Sequence, residues 1–199
     1  AIYSKIGQYP DFIHVDIIDD TIKKNAEKQQ TFKLEVIRAY WPNHRIESHI
    51  MSNYPSKWIP EISKHSNITY VHYSCKENLD YLTKIIEDAG SEAGIAFHFS
   101  EIDKDIFNIT KKFKNILVLS IIEFGYSGQK FNENTYQFLN KLNSFDHRNK
   151  FKLCVDGGIK ASIIGKIQSD SVVSGNDILS NQNPKKRIMR LQTLSRYEK

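Results

Sequence analysis

Apolar residues along the chain fall into short runs separated by stretches with helical spacing. Phe12 to Asp16, Arg45 to His49, Ile68 to His72, Glu92 to Phe97, Ile116 to Leu119, Lys152 to Asp156 and Ser171 to Ser174 read as seven strands. Between them, the helical pattern is clearest at 32–40, 57–64, 77–88, 102–112, 134–142 and 161–166. Strict alternation of strand and helix is the mark of parallel strands joined by crossover helices, either as an open doubly wound sheet or as a closed barrel.

The polar residues decide between the two. His14, Asp16, His49, His72, His98, Glu123 and Asp156 stand at or just past the C-terminal ends of the strands. A closed barrel brings all of these ends to one rim, whereas an open sheet joins only the strands beside its switch point. The expected architecture is therefore a (β/α)8 barrel. The stretch Ala1 to Gln8 is too short to hold a first β/α unit, so the barrel is expected to lack or truncate that unit, or the chain to be cut from a longer polypeptide. At 199 residues a single domain, residues 1–199, is long enough to bury one core.

Composition narrows the class further. Hydrophobic residues make up 40% and charged residues 26%, values of an ordinary globular protein. The longest apolar runs are strand-sized, so no transmembrane helix is expected. The first residues lack the basic start and long apolar stretch of a secretory signal, which points to the cytoplasm. The net charge of +5 is spread among acids, as with Lys23, Lys24 and Lys28 around Glu27. It reads as a solvated surface rather than a nucleic-acid site, and the cluster Lys185, Lys186 and Arg187 reads the same way on a terminal helix. Cys75 and Cys154 are expected to be packing residues, not a disulfide.

The candidate chemistry begins with His14 and Asp16. Two apart on one strand, they face the same side, and inside a barrel a buried imidazole and carboxylate need a partner to offset desolvation. His49 and Asp156 end two other strands, so closure could place two His and two Asp around one divalent cation. Such a ligand set suits zinc, manganese, iron or cobalt and by itself does not choose among them. His72 and His98 are expected beside the substrate or behind a ligand. Gly157 and Gly158 follow a strand, and Ser174, Gly175 and Asn176 follow the next. Paired glycine loops of this kind can bring backbone N–H groups to a phosphate. Gly125, Ser127 and Gly128 form a third small-residue loop that reads equally well as a simple connection.

These motifs resemble those of the ribulose-phosphate 3-epimerase family. His14-Val15-Asp16-Ile17-Ile18-Asp19 is similar to its H-x-D-x-M-D motif, and His49-Ile50-Met51 with Pro55 is similar to H-L-M-x-x-x-P. The stretch from Glu123 to Phe131 resembles E-P-G-F-G-G-Q-x-F, Val155 to Ile159 matches V-D-G-G-I, and Val173 to Asn176 is similar to V-A-G-S. The resemblance implies a metal-dependent isomerase of carbohydrate metabolism that inverts C3 of a ketopentose 5-phosphate, interconverting ribulose 5-phosphate and xylulose 5-phosphate. It implies Asp16 and Asp156 as the acid and base, Met51 beside the reacting carbon, and a phosphorylated ketose as the partner, in a homo-oligomer. There are departures. Ile18 and Ser120 stand where the family has methionine, Asp20 and Ser127 where it has glycine, and Phe124 where it has proline; no counterpart precedes His14 for the serine of the family's first strand. They leave two alternatives open: an epimerase of another phosphorylated ketose, as in surface-polysaccharide synthesis, or a catalytically silent sugar-phosphate-binding domain.

Overall fold

The computed structural model describes residues 2–26, 33–102 and 105–197. Seven parallel strands form one sheet in sequence order: β1 (Phe12–Ile18), β2 (Arg45–Met51), β3 (Ile68–His72), β4 (Glu92–His98), β5 (Asn115–Leu119), β6 (Lys152–Asp156) and β7 (Ser171–Val173). Helices alternate with them: α1 (Ile2–Ile6), α2 (Leu34–Tyr40), α3 (Ile59–Ile62), α4 (Leu79–Asp88), α5 (Ile106–Thr110), α6 (Thr135–Asn143), α7 (Asn176–Leu179) and α8 (Pro184–Tyr197). The sheet curls into a nearly closed barrel, and among the described residues β1 and β7 are not paired.

The period-two alternation of the strands divides the core into two layers. Ile13, Val15, Ile46, Ile50, Val71, Ile95, Phe97, Ile116, Val118, Leu153 and Val155 point outward and pack against Leu34, Leu82, Ile86, Phe138, Leu142, Ile188 and Leu191. A smaller cluster of Ile68, Tyr70, Ala96, Leu117 and Cys154, with Phe12 and Val173 against it, fills the barrel interior. Tyr70 is the largest piece of that filling, and Gly94, its register neighbour on β4, makes room for it: a Cβ on Gly94 would lie 2.4 Å from the tyrosine ring. Buried Cys154 and half-buried Cys75 are free thiols that pack, as expected.

The strand positions follow the hydrophobic pattern closely, and the helices less so. Residues 57–64 form two single 3-10 turns (Pro55–Lys57 and Ser63–His65) around the one-turn α3, because Pro55 and Pro60 restart the chain instead of continuing one helix. Residues 161–166 hold only a 3-10 turn, Ile164–Lys166, with Gly165 inside it. In the stretch 102–112 the helix begins at Ile106, its first turn capped by the Asp105 carboxylate, which accepts from the Asn108 N–H; residues 103 and 104 lie outside the described residues. Phe32, expected at the start of α2, does as well. Lys185 and Lys186 are exposed on α8, while Arg187 makes two 2.8 Å hydrogen bonds to Asp177. No helix among the described residues is long and apolar enough to cross a membrane.

Between β1 and β7 lies a cavity of about 1140 Å³, walled mainly by apolar side chains including Ile6, Ile37, Val172 and Leu191. On the rim, the buried carboxylate of Asp19 gathers the loops after β1 and β2. It accepts hydrogen bonds from the Thr21 N–H and hydroxyl, from Ser52 Oγ at 2.5 Å and from Trp58 Nε1 at 3.1 Å.

Candidate metal centre at the barrel rim

The parallel register of β1 and β2 sets His14 beside Glu47 and Asp16 beside His49, and all four side chains point into the barrel. Asp156 at the end of β6 completes the group. His14, Asp16, His49 and Asp156 each offer one ligand atom, and these atoms lie within 4.8 Å of one another. Among the described residues no other group of His, Cys, Asp and Glu meets that condition. Asp16 Oδ1 stands 3.2 Å from His49 Nδ1 and 3.4 Å from His14 Nε2. Both ring nitrogens of His14 are buried without a hydrogen-bond partner. Two imidazoles and two carboxylates converging on one point, with a buried nitrogen unpaired, fit a divalent cation with mixed N and O ligands.

The electrostatics are those of a site short of positive charge. Burial works to keep His14 neutral, but its contacts with Asp16 and Glu47 and the charge of Asp156 overcome this and raise its pKa to about 10. Asp156 is pushed up to about 7, first by burial and then by the nearby Asp16. Asp16 moves the other way: desolvation by the surrounding site opposes ionisation, yet its close contacts with His14 and His49 hold it well below the usual carboxylate range, although its side chain is still 46% exposed. Burial lowers His49 and, further, His72. The two carboxylates that face one another thus have proton affinities driven apart.

His72 on β3 lies behind His49, their Nε2 atoms 2.7 Å apart, so one of them donates to the other. His98 on β4 does not reach the group. Its Nδ1 meets Ser100 Oγ at 2.6 Å and its Nε2 the Ile121 carbonyl at 2.8 Å. Glu123 is exposed and is not among the group. Residues 121–130, after β5, cross the barrel mouth. Phe124 stacks on His98 at 5.3 Å and presents an edge to His72 at 4.7 Å. Gly125 sits against Ile18 at the far wall, and Lys23 Nζ donates to the Gly125 carbonyl at 3.2 Å while lying over the Tyr126 ring. Gln129 ties the crossing segment to itself through the Glu123 and Tyr126 carbonyls. The third small-residue loop is therefore a cover over the site rather than a plain connection.

The glycines group on one side of the mouth. Gly157 and Gly158 have φ of +112° and +67°, and a Cβ on Gly158 would lie 2.2 Å from the Phe131 nitrogen, so only glycine lets the turn after β6 nest against the crossing loop. Ser120 fastens that turn by donating its hydroxyl to the Asp156 and Gly157 carbonyls. Ser174 Oγ donates to the Ile159 carbonyl, which couples the turns after β6 and β7, and Gly128 approaches the Asn176 side chain. The turn after β6, the loop after β5 and the start of α7 are thus linked in pairs; Ser127 is exposed, and Met51 is buried at the end of β2. Glu47 was not among the residues singled out from the sequence. It stands two before His49, on the same face, the spacing that made His14 and Asp16 conspicuous.

A parallel (β/α) barrel with its polar groups gathered at the C-terminal rim has the layout of a (β/α)-barrel active site. The model of the ribulose-phosphate 3 epimerase family matches residues 4–179, and the chain belongs to that family. No curated protein matches it in sequence. Among solved structures it is similar to a 3-hexulose-6-phosphate synthase (TM-score 0.68, 13% identity, 97% of this chain and 91% of that one). It is also similar to 3-keto-L-gulonate-6-phosphate decarboxylase from Vibrio cholerae (TM-score 0.63, 11% identity, 97% and 88%). A third is KGPDC from Streptococcus mutans (TM-score 0.65, 12% identity, 97% and 88%). At these identities the structural likeness speaks for the fold.

Proposed function

We propose that the protein is a metal-dependent epimerase that inverts C3 of a ketopentose 5-phosphate, interconverting ribulose 5-phosphate and xylulose 5-phosphate. The observation that carries this reading is the convergence of His14, Asp16, His49 and Asp156 within 4.8 Å in a member of the ribulose-phosphate 3-epimerase family. A divalent ion held by these four residues, zinc foremost and manganese, iron or cobalt otherwise, would supply Lewis-acid stabilisation of the negative charge that develops beside C3.

The remaining work falls to side chains. Inversion needs a base on one face of the carbon and an acid on the other, and Asp16 on β1 and Asp156 on β6 are carboxylates from separate strands with divergent proton affinities. One takes the C3 proton as the other delivers its own. Gly157, Gly158, Gly175 and Asn176, together with Gly125, Ser127 and Gly128 of the loop after β5, would hold the phosphate through backbone N–H groups, and Met51 would lie along the sugar. Phe124 and the loop that carries it would keep water from the enediolate.

Proton NMR of ribulose 5-phosphate in deuterated water tests this. The expected result is exchange at C3 together with xylulose 5-phosphate formation, both lost on chelation and both reduced at least about a hundredfold by Asp156→Asn. Retained exchange in that variant overturns the assigned acid–base pair. No exchange by a protein with metal bound overturns the pentose reading. In that event a second reading, an epimerase of another phosphorylated ketose, draws on Phe124 over His72 and on Ile18 and Ser120 in place of methionine. Substrate affinity without deuterium uptake across a panel of ketose phosphates would leave a binding domain.

A further inference from the structure

Glu47 is a charged side chain in a place where charge is costly. It is 1% exposed, on the inner face of β2, level with His14 and one step before His49 on the same face, next to the apolar filling of the barrel. Removing a carboxylate from water is strongly unfavourable unless each oxygen finds a partner. Oε1 has one: Arg45 Nη2 at 2.8 Å, from a side chain that lies over the Phe12 ring and is half open to solvent. Oε2 has no hydrogen bond within the protein. Its nearest basic atom is His14 Nδ1, at 3.7 Å, which is equally unpaired, and both side chains are buried. The other nitrogen of the same ring, Nε2, faces Asp16 Oδ1 and the centre of the group. The His14 ring therefore spans two carboxylates, one inside the candidate metal centre and one behind it.

From this we infer that Glu47 is a positioning residue: it receives the Nδ1–H of His14 and thereby fixes the tautomer and plane of the ring, so that the Nε2 lone pair points at the metal. A carboxylate behind a ligating imidazole raises the basicity of the ligand as well as aiming it. A role limited to pairing with Arg45 leaves Oε2 without purpose, and a salt bridge with a half-exposed arginine does not require an aspartate or glutamate beside a histidine in the barrel. The parallel register is what joins the two: His14 and Glu47 are direct neighbours across β1 and β2, as Asp16 and His49 are one step further along. His49 is served in the same manner by His72 behind its Nε2. The inference rests on the metal reading of the site, and its test separates the two.

The experiment is titration of the metal-free full chain with cobalt(II), followed by its visible absorption, for the wild type, Glu47→Gln and Glu47→Leu, with circular dichroism to establish folding. The leucine variant is expected to bind cobalt about 10–100-fold more weakly with altered bands, and the isosteric glutamine variant, which keeps an acceptor and loses the charge, to lie between it and the wild type. Should Glu47→Leu not fold, Glu47→Gln decides alone, and about a threefold to tenfold weakening with shifted bands is expected of it. Wild-type affinity and spectrum in the folded variants overturn the role given to Glu47 while the metal centre stands. A wild type that takes up no cobalt overturns the metal reading and this inference with it.

Discussion

At the scale of single residues, the site holds protons where it would hold a metal. His14, with a pKa raised to about 10, keeps a proton across the neutral range, and Asp156, raised to about 7, keeps one below neutrality. A metal needs both ligands deprotonated, so it must displace one proton between pH 7 and 10 and two below pH 7. The raised values set the sign: affinity falls as the solution becomes more acidic. Apparent affinity for cobalt or manganese should therefore drop about tenfold from pH 8 to 7 and about a further hundredfold from pH 7 to 6. Competition titrations at the three pH values measure it; an affinity flat across this range would show that His14 and Asp156 are not both ligands. His49, whose pKa burial lowers, adds no further proton to this count.

At the scale of elements, the interior of the barrel is fitted around one contact, Tyr70 of β3 against Gly94 of β4. A methyl group at Gly94 would meet the ring at 2.4 Å, and neither strand can move without disturbing its other neighbour. Gly94→Ala should cost about 1–3 kcal/mol in denaturant unfolding, and the loss should shrink when Tyr70→Leu is added, because the second change removes the atoms that collide. Simple addition of the two losses would place the strain elsewhere. The elements also show what the sequence could convey. The limits of β3 and β6 are the predicted ones, since an inner strand buried on both faces stands out as a compact run between polar stretches. Residues 57–64 and 161–166 misled because helical spacing survives where Pro60 and Gly165 break the helix itself. His14 and Asp16 could be paired by their spacing alone. Glu47 carries the same spacing beside His49, but its pairing with His14, on another strand, is revealed only by the register.

At the scale of the molecule, each inner strand has two neighbours, whereas β1 and β7 have one apiece and border the cavity of about 1140 Å³. Local stability should follow that difference. Amides of β3, β4 and β5 are expected to exchange with deuterium slowest, and those of β7, only three residues long, at least about a hundredfold faster. Uniform protection of all seven strands, followed by mass spectrometry of peptides, would mean that the two borders are as firmly held as the centre. Among the described residues the candidate ligands on β1 lie on one border of the sheet and Asp156 lies one strand inside the other.

This placement bears on hydrogen itself. Asp16 is exposed, and Asp156 is buried beneath the turn that Ser120 fastens. If these carboxylates are the two bases, they draw on separate reservoirs: one refreshed by bulk water at every opening, the other shielded and slow to forget what it last received. An epimer made in one direction would then carry solvent hydrogen at once, while its mirror step could hand back hydrogen that came from an earlier sugar. The reaction would be symmetric in its chemistry and asymmetric in its memory.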